Sequence, residues 1–254
     1  MRRLELNYAA KIQRLLKEQV SSLILKAEEV GFNAAIGSAP LFNDRFIELL
    51  MDMYKKAGLQ FAIQTNRYLA KEERKDVFFN AEVLQMIVNI LGNQALSLVT
   101  RMDDTTKQVL LDIIQQGELE QRSFREIALA MEASWIVQYP RALTIARTEI
   151  GRAANIGSMT AAEKQRFQTV KVWVSGQDRL TRTYGKKDEY DHWILDGQRR
   201  EFLEPFEQAG RTNGITAVAQ QPGDPLAPAA FTINCRCVVV FEAKRDANGR
   251  LVRK

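Results

Sequence analysis

The side chains best suited to chemistry are scarce in this 254-residue sequence, with a single histidine, His192, and two cysteines, Cys235 and Cys237. Both cysteines fall in TINCRCVVVF, residues 232–241, which reads as the opening of a strand. In a strand, residues i and i+2 share a face with Cα atoms roughly 6.5–7 Å apart, at or beyond the reach of an unstrained disulfide. Two thiolates on one face could instead form half of a tetrahedral Zn²⁺ site, with His192 as the nitrogen ligand and a carboxylate or water as the fourth. The alternative is packing: two reduced, buried thiols on one face with Val239, and Arg236 on the other. The sequence favours packing, with the metal site as the second reading.

Nucleophilic catalysis needs a poised Ser, Cys or Thr beside a base, and one histidine leaves little to choose from. No G-x-S-x-G, HExxH, P-loop or G-x-G-x-x-G pattern is present. No enzyme is expected. In Arg147-Thr148-Glu149, residues two apart on a helix diverge by about 200°, so Arg147 and Glu149 anchor different neighbours. Glu149 can reach Arg152 one turn on, while Arg147 can brace a loop through its planar fork. In QDRLTR, Arg179 and Arg182 could touch phosphate. Asp178 would repel that phosphate, so a local aspartate–arginine loop lock is the preferred reading.

Charge and hydropathy narrow the classes further. Thirty-six Lys+Arg against 31 Asp+Glu give a net +5, compatible with a polyanionic partner but not diagnostic of one. The 46% apolar content suits a globular core, and no apolar run approaches the roughly 20 residues of a membrane span. Cysteines this close cannot staple distant elements, which suits synthesis in a reducing cytoplasm.

The elements that must carry these residues change character along the chain. Ile12, Leu15, Leu16, Val20, Leu23 and Ile24 recur at helical spacing, with Gly31 as a stop. Phe42, Phe46, Leu49, Leu50 and Met53 form a second stripe interrupted by Gly58, and Phe78, Val83, Met86, Ile87 and Ile90 a third. Asp103 to Thr106 offers caps for a helix carrying Val109, Leu110, Ile113 and Ile114, and Gly117 would stop it. Ser123 and Glu126 have capping-box spacing. Pro140 suits a first helical turn, after which Ala142, Ala146, Ile150 and Ala153 make a narrow face. From TVKVWVSG the period becomes two, with Val170, Val172 and Val174 alternating against Lys171 and Trp173, as in a strand with one buried face. Asp196-Gly197 marks a turn before a short strand, and residues 244–254 read as a basic, mobile tail. The class is α+β: a helical N-terminal half, then a mixed α/β module with a small antiparallel sheet.

The order DDTTKQVLLDIIQQG, SFREIALAME, RALTIARTEIGRAAN, KVWVSGQDRLTR, DHWILDGQ, EPF, PGDP and INCRC resembles the phage Mu F-like minor head protein family of tailed bacteriophages. The resemblance runs from about Asp103 to Phe241 and divides the chain into a helical region (1–102), the Mu F-like module (103–243) and the tail (244–254). The family pattern falls on Arg147, Glu149, Asn155, Trp173, Asp178, Arg179, Arg182, His192, Asp196, Gly197 and Asn234 to Cys237. It implies a structural virion component at the portal vertex or head interior, assembled in the host cytoplasm. It acts in head morphogenesis, with DNA packaging or ejection in some members, and without turnover. Implied partners are the portal protein, which the helical region would dock, and major capsid or scaffold proteins. Double-stranded DNA is an alternative partner through Arg179, Arg182, Lys244 and Arg245, and a metal-dependent toxin or nuclease is a remoter alternative. The family sets its histidine close to the arginine-containing loop, whereas TYGKKDEYD here separates Arg182 from His192, which counts against His192 keeping the same neighbours and against a metal.

Overall fold

The computed structural model describes residues 1–38, 44–73 and 81–254. Phe42, Phe78 and the side chains of Val83 and Ile87 lie outside the described residues. The elements are α1 (Arg2–Val30), α2 (Phe32–Gly37), α3 (Asp44–Glu73), α4 (Ala81–Leu119), α5 (Phe124–Ala133), α6 (Tyr139–Glu163), β1 (Thr169–Val174), α7 (His192–Leu195), β2 (Arg199–Glu201), β3 (Phe206–Ala209), β4 (Thr216–Ala219), α8 (Ala229–Thr232) and β5 (Val238–Ala243). This is the α+β order expected, helices first and sheet after.

Two compact units divide these elements: Met1–Asp52 with Gly92–Ala146, and Met53–Leu91 with Arg147–Lys254. Among the described residues the first holds helices and no strand. The stripe on α1 is buried as the spacing requires, and Gly31 (φ +80°) follows its last turn. Tyr8 adds a directional contact, donating its hydroxyl to Asp52 at 2.6 Å. Ser123 caps α5 by accepting from the Glu126 amide, and Glu126 accepts in return from the Ser123 amide, the reciprocal box its spacing predicts.

Three expected breaks are not breaks. Gly58 lies inside α3, because its carbonyl is so close to Gly157 of α6 that a Cβ on Gly157 would sit 2.0 Å from it. The glycines serve a backbone crossing there. Asp103 to Thr106 lie within α4, where Thr105 and Thr106 donate back to Arg101 O and Met102 O and Lys107 pairs with Asp103 at 2.8 Å. Gly117 also stays helical, and its missing side chain makes room for Ile127, which a Cβ there would meet at 2.5 Å. The chain leaves the helix at Gln121, whose φ is +56°.

In the second unit β1 is the centre of an antiparallel sheet ordered β2-β1-β5, with Val172 opposite Arg199 on one side and Val240 on the other. A separate hairpin pairs β3 with β4. Thr169, Lys171 and Trp173 make the more deeply buried face of β1, whereas on the valine face Val172 is buried and Val170 and Val174 are half-buried. Lys171 tolerates burial because its Nζ lies over the Phe206 ring, 5.4 Å from the centroid, and donates to Gln220 O at 3.0 Å and Gln220 Oε1 at 2.7 Å. Burial lowers its ammonium to about 8.

Trp173 is the hub of a core with Tyr190, Leu195, Phe206, Phe231, Cys235 and Cys237. Phe167, Val239 and Phe241 join Leu69 and Ala162 in a second cluster. Residues 244–254 fold back as an edge rather than a mobile tail. Arg245 bridges Leu251, Phe167 bridges Arg253, and Gly249 (φ +75°) makes the turn.

Candidate functional site

The segment holding both cysteines is a turn, not the start of a strand: α8 ends at Thr232, Asn234 has φ +61°, and pairing begins only at Val238. An Asn in the left-handed region is uncommon but tolerated. Here three side chains of α6 fix it. Arg147 donates to Asn234 Oδ1 at 2.7 Å, and the Thr148 hydroxyl accepts from the Asn234 amide at 2.8 Å. Asn155 donates to Cys237 O at 3.3 Å and accepts from the Val239 amide at 2.8 Å. Its amide also reaches Pro222 O at 2.9 Å, joining the proline-rich loop to the same frame.

One turn apart on the same helix, Glu149 and Arg152 form a buried ion pair at 2.7 Å. The expected pairing is present, but it is not a solvated surface pair. Tyr54 donates to Glu149 at 2.6 Å, and Arg152 donates through Nε to Gly223 O at 3.0 Å. Burial, reinforced by the Glu149 carboxylate, pushes the Tyr54 phenol well above its ordinary range, so it stays a donor.

The loop after β1 braces the turn from another side. Asp178 accepts from the amides of Leu180 at 2.9 Å and Thr181 at 3.1 Å and pairs with Arg236. The backbone bond from Leu180, with the Arg236 guanidinium, holds its carboxyl below the usual range. The lock is therefore an aspartate–arginine one, but its arginine comes from the cysteine turn and not from Arg179 or Arg182. Arg182 spans two carbonyls at the end of α8, Phe231 O at 3.4 Å and Ile233 O. Asp196 accepts from the Ser175 amide at 2.7 Å and from Gln177, while Gly197 (φ +73°) donates its amide to Trp173 O.

Among the four cations assigned to DNA, three are engaged within the chain. Lys244 pairs with Glu201 at 2.7 Å, Arg245 with Glu72, and Arg182 with the carbonyls just described. Arg179 is exposed.

His192 opens α7 and is buried. Residues 183–191 do not displace it, because the loop closes at its base where the His192 amide donates to Arg182 O at 3.1 Å. Asp191 then caps α7, accepting from the amides of Trp193 at 2.9 Å and Ile194 at 3.2 Å, and it also accepts from the Tyr184 amide and the Thr183 hydroxyl. Burial opposes ionisation of Asp191, but these four hydrogen bonds outweigh it and hold the carboxyl below its ordinary value. The imidazole sits edge-on to Trp173 and Phe231, with ring centroids at 5.5 and 4.7 Å. Its Nδ1 lies 3.4 Å from Cys235 Sγ and 3.5 Å from Cys237 Sγ.

Both cysteines are free and buried. The bond from Cys237 holds the Cys235 thiol well below its usual value, and the same interaction pushes Cys237 up. The structure thus restores His192 to the cysteines and puts the family-pattern residues other than Arg179 in or around one buried frame. Sequence reasoning missed Thr148 and Asp191. An aspartate before a short apolar turn is an N-cap signal that could have flagged Asp191, whereas nothing local marks Thr148.

A family model described as Phage Mu protein F like protein matches residues 104–240. Among curated proteins, the chain is similar to NAD(+)–arginine ADP-ribosyltransferase EFV of Enterococcus faecalis, 26% identical over 188 residues. The match takes in 72% of this chain and 35% of that protein, so the chain spans about a third of its relative's length. No solved structure matches. Among the described residues, no helix is long and apolar enough to cross a membrane.

Proposed function

Since the chain belongs to the phage Mu protein F-like family, we propose that it is a minor head protein of a tailed bacteriophage, bound near the portal and acting in head morphogenesis. The single observation that carries this reading is where the matched residues direct their polar groups. Arg147, Asn155, Asp178, Arg182 and Arg236 spend their hydrogen bonds on the chain's own turns. Such a frame gives shape to an assembly module and presents few groups to a substrate. The portal protein and the major capsid or scaffold proteins are the partners, the helical N-terminal region supplies the docking face, and the protein resides in the virion after assembly in the host cytoplasm. Packaging or ejection of DNA is a further role in this proposal, with Arg179 as the exposed cation for a duplex contact.

The test is mass spectrometry of portal complexes and purified heads from infected cells. A few copies co-purifying with the portal are expected, and consistent absence from assembling heads and finished virions would overturn the proposal.

The relative's transferase activity does not extend to this chain in our reading. Incubated with NAD as donor and an arginine mimic as acceptor, the protein should transfer no ADP-ribose above a blank. A transfer that follows the protein through purification would refute the non-enzymatic part of the proposal.

A further inference from the structure

The ligand atoms of His192, Cys235 and Cys237 all lie within 4.8 Å of one another, and all three residues are buried. A tetrahedral Zn²⁺ with Zn–S near 2.3 Å and Zn–N near 2.05 Å has S···N edges of about 3.5–3.6 Å. The two edges here measure 3.4 and 3.5 Å, from a single Nδ1 to each sulfur. We propose that His192 Nδ1 and the Cys235 and Cys237 thiolates bind one thiophilic divalent cation, Zn²⁺ by ligand class. This site is independent of the head-protein reading.

Three features beyond the spacing support it. First, the ligands are held before any ion arrives: Asp191 fixes α7, and Arg147, Thr148, Asn155 and Asp178 fix the cysteine turn. A site assembled in advance loses little entropy on binding. Second, the imidazole has a direction. Among the described residues its buried Nε2 has no hydrogen-bond partner, so the polar contacts of the ring there are at Nδ1, the atom facing both sulfurs. Third, a small recess bordered by Gly176, Thr181, Arg182, Asn234 and Arg236 adjoins the three ligands and offers a place for water as the fourth. Binding displaces both thiol protons to solvent, leaving a two-thiolate, one-imidazole donor set of the kind zinc takes with an open position.

The experiment uses the full chain, purified without chelator and dialysed against metal-free buffer. Elemental analysis should find about one zinc per chain, as a preformed mononuclear site requires. Adding Co²⁺ to metal-stripped protein should produce thiolate-to-cobalt charge-transfer absorption and the intense visible bands of tetrahedral cobalt. Cys235→Ser and His192→Ala should each cut metal retention at least ~10-fold, with far-ultraviolet circular dichroism reporting whether the variant folds. If a variant does not fold, the cobalt spectrum of the unaltered protein decides alone. Two reduced thiols with no zinc and no charge-transfer band on Co²⁺ addition would overturn the site. So would full zinc retention by folded Cys235→Ser, which would place the metal elsewhere.

Discussion

Helices α1 and α6 bury their faces by different means. Along α1 the buried positions are Glu5, Tyr8, Ala9, Ile12, Leu15, Leu16, Val20, Leu23, Ile24 and Ala27, all but one of them uncharged and mostly aliphatic. Along α6 the buried set includes Thr148, Glu149, Arg152, Asn155, Ser158 and Thr160. Apolar burial is non-directional and responds in proportion to the surface lost. Buried polar groups are directional, and removing one partner strands the other in a low-dielectric interior. The first helix can tolerate small errors, whereas the second must hold a particular turn in place.

The largest effect should come from breaking the α6 pair. Arg152→Leu leaves the Glu149 carboxylate buried with Tyr54 as its remaining donor among the described residues and frees Gly223 O, and it should cost about 3–5 kcal/mol in urea denaturation. A loss below ~1 kcal/mol would erase the contrast between the helices. On α1, Ile12→Val removes one methylene from a fully buried side chain and should cost about 0.5–1.5 kcal/mol, with the denaturant slope unchanged. A larger penalty would mean that α1 too depends on close fit.

The smallest effect is on the acid limb. The folded pKa of Asp191 is depressed, so its contribution to stability is fully present above the unfolded value of about 3.9 and is lost as pH falls through the folded value. Asp191→Asn keeps a capping side chain but has no charge to titrate. Its stability should therefore fall less steeply below about pH 4, and equal acid limbs in the two proteins would remove Asp191 from the account.

The same contrast explains what could be read in advance. The stripe on α1 and the Ser123–Glu126 box are local patterns, complete within a few residues, and they fold as read. Gly58 and Gly117 are local signals that tertiary contacts override, a helix crossing and a close isoleucine, while the cap signal at Asp103 yields to a competing local one, the pair with Lys107 one turn along. The alternation in β1 did not say which face is the more buried, because Lys171 finds its acceptors at Gln220, 49 residues away. The cysteine turn was read as a strand for a related reason. Its hydrogen bonds go to side chains more than 80 positions earlier, so nothing in TINCRCVVVF itself marks the turn. The family-pattern residues were legible as a set, while their convergence on one turn was not.

The bond from the His192 amide to Arg182 O has a practical side. It closes residues 183–191 at their base, so the length of that excursion is uncoupled from the position of the imidazole. Gly185, Lys186 and Lys187 at its tip are exposed. A peptide epitope or a fluorophore grafted at Gly185, leaving Lys186 to hold Arg179 O and Thr181 O, would hang from a sealed loop, a handle for following the protein into assembling particles.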